Sequence, residues 1–140
     1  MDSDSHSDSQ IKEFYQLKNV DCRSVKEWRK TISSVPKYLI EHGYNVIPVN
    51  PTLSEVLGRT AYPTIADIPE KVDIVDVFRK SEDIPAVIDD ALKKKDGIKV
   101  FWMQLGIHNE DVERKAKENG IDVVYNRCMM EEHKRLFDEE

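Results

Sequence analysis

Cysteine is scarce in this chain, and long apolar runs and a surplus of basic residues are both missing. The two cysteines, Cys22 and Cys128, lie far apart and outside any CxxC spacing. That excludes a disulfide framework or a zinc knuckle and leaves two free thiols. No stretch approaches the roughly 18 apolar residues of a membrane span. The first ten residues are polar and hold no signal-peptide core, so the expected compartment is the cytoplasm. Lys and Arg number 21 against 27 Asp and Glu, a net charge of −6. Nucleic acid and anionic membrane surfaces are therefore not expected partners, since both need a cationic face. No metal is expected: Asp2, Asp4, His6 and Asp8 read as part of a flexible acidic terminus rather than a cation site.

What is present fits one folded unit. With 140 residues, 39% hydrophobic and 34% charged, the chain is long enough for a single core under a well-solvated surface. Residues 1–10 are expected to be a disordered tail, because they hold almost no apolar material to offset the entropy of ordering. Residues 11–140 are expected to form one domain.

Within that domain, 11–17 reads as a short helical lead-in and 18–20 as the start of a faint first strand. From residue 33 the pattern becomes regular. Ser33 or Ser34 can cap a helix with Pro36 in its first turn, Leu39 and Ile40 facing inward and Gly43 at its end. A β-branched strand over 45–49 stops at Asn50-Pro51. Residues 72–78 are nearly all apolar, as a strand buried on both faces requires. Ser81 can cap the next helix, in which Ile84, Val87, Ile88, Ala91 and Leu92 recur at helical spacing. A strand over 99–104, a helix capped by Asn109 and closed at Gly120, and a last strand over 121–125 follow. Alternating strands and helices call for a doubly wound, mostly parallel sheet in a Rossmann-like three-layer α/β/α sandwich. Such sheets bind ligands at the carboxyl ends of their strands.

Those strand ends carry a family resemblance. The segments KYLIEHGYNVIPVNP (37–51), EVLGRTAYPTIADIP (55–69), VDIVDVFRK (72–80), FWMQLGI (101–107) and NRCMMEEH (126–133) together resemble the small coenzyme A-binding proteins related to the CoA-binding domain of the succinyl-CoA synthetase α subunit. The resemblance implies that CoA or an acyl-CoA is the ligand and that Ser34, Val35, Val49, Asn50, Pro51, Phe78, Arg79, Lys80, Gln104 and Gly106 contact it. It also implies that the chain acts alone, as a homo-oligomer or as a synthetase subunit.

One segment departs from the family. A glycine-containing loop should follow the first strand, because glycine lets backbone N–H groups close on a diphosphate. Residues 21–33 contain no glycine and read as a polar, basic surface stretch, expected to be irregular without ligand. Three readings stay open: Arg23, Lys26, Arg29 and Lys30 replace the cradle, a local change such as a frameshift altered the sequence, or the stretch is solvated and has no ligand role.

The residues also carry plainer meanings. Asn50 stands where a dinucleotide-binding domain carries an acid for the ribose, which makes NAD a poor ligand; the alternative is a turn asparagine before proline. Arg79 and Lys80 can act on a phosphate with the following helix N-terminus, or can be a simple surface pair. Asp76 reads as a structural aspartate more readily than a catalytic one, and Trp102 as core. Cys128 reads as a structural thiol rather than a nucleophile served by His133. No catalytic set is assembled. The functions in view are a CoA-binding module without catalysis, the CoA-binding component of an acyl-CoA synthetase acting with another subunit, and an interaction protein that has lost its ligand site.

Overall fold

The computed structural model describes residues 6–17, 19–23, 30–49, 54–56, 58–77, 84–94, 98–104 and 107–137. Its elements run α1 (Asp8–Phe14), β1 (Asn19–Arg23), α2 (Lys30–Glu41), β2 (Asn45–Val49), β3 (Glu55–Val56), β4 (Arg59–Thr60), a 3₁₀ turn (Ile65–Asp67), β5 (Ile74–Val77), α3 (Ile84–Leu92), β6 (Val100–Met103), α4 (Glu110–Glu118), β7 (Asp122–Val124) and α5 (Met129–Phe137). Five strands form one sheet in the order β2-β1-β5-β6-β7, and every pairing in it is parallel. Among the described residues no helix is long and apolar enough to cross a membrane.

The sheet separates two cores, so the molecule has three layers. Val75, Val77, Phe101 and Met103 point to one face, where α3 contributes Ile84, Val87, Ile88 and Ala91 and α4 contributes Val112 and Ala116. Ile74, Val100 and Trp102 point to the other, where Ile11 and Tyr15 meet Val35, Tyr38 and Leu39 of α2 and Met129 of α5. Both sets follow the two-residue period of a strand and the three-to-four-residue period of a helix. The expected α/β sandwich is present, with β2 over its expected residues and β5, β6 and β7 starting one or two residues inside their apolar runs.

Local chemistry ends the helices. Asn109 accepts from the Val112 N–H at 3.0 Å and caps α4, whose first turn is acidic and last turn basic. After α2 and α4 the chain turns through Gly43 (φ 90°) and Gly120 (φ 77°), in the left-handed region. The next N–H groups, of Tyr44 and Ile121, return to the carbonyls of Leu39 and Ala116, each at 3.0 Å.

Three expectations need correction. Helix α1 starts at Asp8, inside the supposed tail, because the Ser7 side chain accepts from the Gln10 N–H while the Gln10 carboxamide accepts from the Ser7 N–H. Helix α2 starts at Lys30, so Ser33 and Ser34 lie within it rather than at its cap. Pro36 sits in its middle, where the one lost backbone bond is offset by the burial of Val35, Tyr38 and Leu39. Residues 21–33 are not one irregular stretch: 21–23 complete β1, and 30–33 open α2. The strand was faint because β1 is set by its neighbours, with Val20 to Arg23 in register with both β2 and β5. Residues 24–29 and the proposed cap Ser81 lie outside the described residues.

The short α1 is tied down by its following residue. Tyr15 is buried, donates its hydroxyl to the Met129 carbonyl at 2.6 Å, and accepts the Tyr44 hydroxyl on its own carbonyl at 2.8 Å. Replacing Tyr15 by Phe should destabilise the protein by about 0.5–1.5 kcal/mol, since it removes one buried hydrogen bond; Tyr15→Ala should cost about 3–5 kcal/mol. Urea unfolding curves check both, and a Phe variant as stable as wild type would refute the role given to the hydroxyl.

Candidate functional site

The strand order decides where a ligand can sit. From β1 the chain passes through α2 on one face to reach β2, whereas from β5 it passes through α3 on the opposite face to reach β6. The crossovers diverge at the carboxyl ends of β1 and β5, leaving a crevice between them. Arg23 and Val77, partners in register, are the last residues of those strands.

Two buried polar groups lie at the carboxyl ends of neighbouring strands on this side of the sheet. Asp76, the penultimate residue of β5, is fully buried, and Gln104 directly after β6 is 5% exposed. The Gln104 carboxamide N–H donates to Asp76 Oδ1. The backbone holds Gln104 in place: its N–H donates to the Val77 carbonyl at 3.2 Å and its carbonyl accepts from Ile107 at 2.9 Å. Asp76 Oδ2 has no partner among the described residues. Burial raises the Asp76 pKa to about 8, with the Gln104 bond pulling the other way. At neutral pH the site therefore holds mostly a neutral carboxylic acid, able to donate as well as accept.

The end of β7 is organised by three contacts. Asn126 takes the left-handed conformation (φ 56°), which asparagine tolerates better than most residues, and its N–H reaches the Ile107 carbonyl at 3.3 Å. The Trp102 indole N–H donates to the Arg127 carbonyl at 2.8 Å, and the Arg127 guanidinium pairs with Glu132 at 2.6 Å. The His108 ring stacks on Tyr125 with centroids 3.6 Å apart and pairs with Glu113 at 2.7 Å.

Of the sequence-derived contacts, Val35 is a core residue of α2, Val49 is fully buried on the opposite face of the sheet, and Gln104 borders the crevice. Ser34 lies in α2 by its backbone. Asn50, Pro51, Phe78, Arg79, Lys80 and Gly106 lie outside the described residues. Cys128 is buried, and burial raises its thiol pKa against the opposing pull of the Glu131 and Met130 N–H groups. That is the environment of a structural thiol. His133 is buried, with Nδ1 2.7 Å from the Tyr38 hydroxyl and its ring edge-on to Tyr15. Sequence reading weighed Asp76 alone and missed its pairing with Gln104. The available signal was an acid inside an apolar strand together with an amide at the end of the next strand. Among the described residues no cluster of His, Cys, Asp or Glu could hold a metal ion.

Asp76 also makes stability depend on pH. Its folded pKa lies above the unfolded value of 3.8, so its contribution is complete below about pH 4 and is lost as pH rises towards 8. The limiting slope is about 1.4 kcal/mol per pH unit. Asp76→Asn should remove this component, making stability fall less than in wild type between pH 5 and pH 8 (about three pH units). Urea unfolding across that range tests it, and parallel profiles would contradict the assignment.

Comparison with known proteins places this arrangement. The CoA binding domain family matches residues 26–134. An uncharacterised Bacillus subtilis protein, YneT, is 38% identical over 104 residues, covering 74% of this chain and 76% of that protein. ADP-forming acetate-CoA ligase I of Archaeoglobus fulgidus is 27% identical over 108 residues, 71% of this chain but 16% of the ligase. The solved structure of a hypothetical protein from Pyrococcus horikoshii matches with a TM-score of 0.87 at 41% identity, covering 95% of this chain and 94% of that one. The parallel sheet, the diverging crossovers and these matches together establish that the chain belongs to the CoA binding domain family.

Proposed function

We propose that this protein binds coenzyme A or an acyl-CoA at the carboxyl ends of its parallel strands and carries out no chemistry of its own. The observation that carries this reading is the family match over residues 26–134, which takes in the ends of β2, β5, β6 and β7. The crevice where the crossovers diverge supports it, as does the unpartnered, buried Asp76 Oδ2 beside that crevice. CoA is a diphosphate with a flexible arm of two amides ending in a thiol. Arg79 and Lys80 supply charge for the phosphates, Val49, Asn50, Pro51, Phe78 and Gly106 provide the surrounding contacts, and Ser34 and Val35 come from α2. Gln104 and the neutral Asp76 carboxyl offer hydrogen bonds to the amide arm. Because residues 21–33 contain no glycine, this site binds CoA more weakly than a glycine-lined loop would.

A second reading rests on the similarity to the acetate-CoA ligase. Because the chain spans 16% of that enzyme, it would be a CoA-binding component that needs a partner for phosphoryl transfer. Purified chain given ATP, acetate and CoA should release no ADP on either reading. ADP release on adding a co-purifying subunit would favour the second.

Saturating CoA should raise the melting temperature, since a ligand selective for the native state adds about 2.7 kcal/mol at a hundredfold excess over Kd. NAD should do less. Replacing Arg79 and Lys80 together by Ala should weaken CoA binding by about 1–3 kcal/mol, as lost charge-assisted hydrogen bonds would. Calorimetric titration decides this: no heat and no melting shift at millimolar CoA would leave the interaction-protein alternative in place.

A further inference from the structure

A second polar site lies away from the crevice, along the outer edge of the sheet. β2 is an edge strand, and the β3-β4 hairpin folds against it, with the Tyr62 N–H donating to the Pro48 carbonyl at 3.0 Å. Between hairpin and strand is a surface cavity of about 200 Å³ whose lining includes Asn45, Arg59, Thr60, Tyr62 and Glu70. This is below the roughly 300 Å³ at which drug-sized ligand pockets begin and suits a metabolite of a few heavy atoms.

The charges in this cavity are arranged unusually. Arg59 Nη1 donates to Asn45 Oδ1 at 3.1 Å and to the Val46 carbonyl at 3.4 Å. Both acceptors are neutral. The rest of the guanidinium fork has no partner among the described residues, although Arg59 is only partly exposed. Among the described lining residues the carboxylate is Glu70, which is not paired with Arg59; its Oε2 accepts from Asn45 Nδ2 at 3.4 Å. The Asn45 carboxamide thus lies between the two, its oxygen towards the cation and its nitrogen towards the anion. A positive and a negative group share one small cavity and are held apart by an amide dipole aligned with both.

We propose that this cavity is a binding site for a small zwitterion of the α-amino-acid class, with the ligand carboxylate on Arg59 and its ammonium on Glu70. A guanidinium fork matches a carboxylate with two parallel hydrogen bonds, and a carboxylate suits an ammonium. A simple anion would meet Glu70 as a like charge, and a simple cation would meet Arg59. A molecule carrying both charges on neighbouring atoms satisfies each. The site is separate from the crevice: Asn45 begins β2 and Val49 ends it, about 13 Å apart at strand rise.

The test is a titration of isotopically labelled protein followed by amide chemical shifts. Glycine, L-alanine and L-leucine serve as zwitterions, acetate and methylamine as single-charge controls, and CoA as the probe of the other site. At least one amino acid should shift the amides of Asn45, Arg59, Thr60 and Glu70 saturably, and acetate and methylamine should bind about tenfold more weakly or less, a difference of about 1.4 kcal/mol. In Glu70→Gln, which leaves the Arg59 bonds to β2 in place, the spectrum should stay folded and the preference over acetate should vanish. The proposal is overturned if no amino acid gives a saturable shift, if acetate binds as well as glycine, if Glu70→Gln keeps the preference, or if CoA moves the same amides.

Discussion

Asn19–Arg23 is hydrogen-bonded in parallel to β2 on one side and to β5 on the other, and the rest of the molecule depends on that double pairing. With β1 in this slot the chain must leave it towards one face and leave β5 towards the other. The crevice exists because the two exits diverge. Remove β1 and β2 would lose its ladder to the sheet, since among the described residues its outer side meets the small hairpin and no further strand of the sheet. Pro48 fits this arrangement. Its carbonyl faces the hairpin, so the N–H it lacks is on the outer side and the ladder to β1 is intact.

The second constraint is a polar pair inside the sheet. Asp76 is flanked by Val75 and Val77, which point to the other core, and it faces the layer built from α1, α2 and α5. A carboxyl buried there costs stability unless it is neutral or fully hydrogen-bonded. Burial provides the first condition by raising the pKa, and Gln104 provides half of the second. The oxygen left over belongs to the central strand of the sheet, one residue from its carboxyl end, and on the proposed reading the amide arm of CoA would supply the missing partner.

Much of this was legible beforehand, for identifiable reasons. The strands of 45–49, 72–78, 99–104 and 121–125 showed as apolar runs because both faces of the sheet are covered. Asn109 and Gly120 marked α4 because capping is local chemistry. By contrast β1 was nearly invisible: NVDCR alternates apolar and polar residues over only five positions, and its conformation comes from two neighbours distant in sequence. The same holds for the site. Gln104 could be picked from its place after a strand, but its bond to Asp76 joins residues 28 apart. The Arg59, Asn45 and Glu70 cavity was not legible, because it depends on a hairpin folding back onto an edge strand.

Hydrogen exchange with and without CoA tests the central claim most directly, since the account puts the ligand between diverging crossovers. CoA should slow exchange in the residues that follow β1, β5 and β6 and leave the exchange of α4 unchanged. Protection elsewhere, or none at a CoA concentration that saturates binding, would contradict a ligand site at the carboxyl ends of the strands.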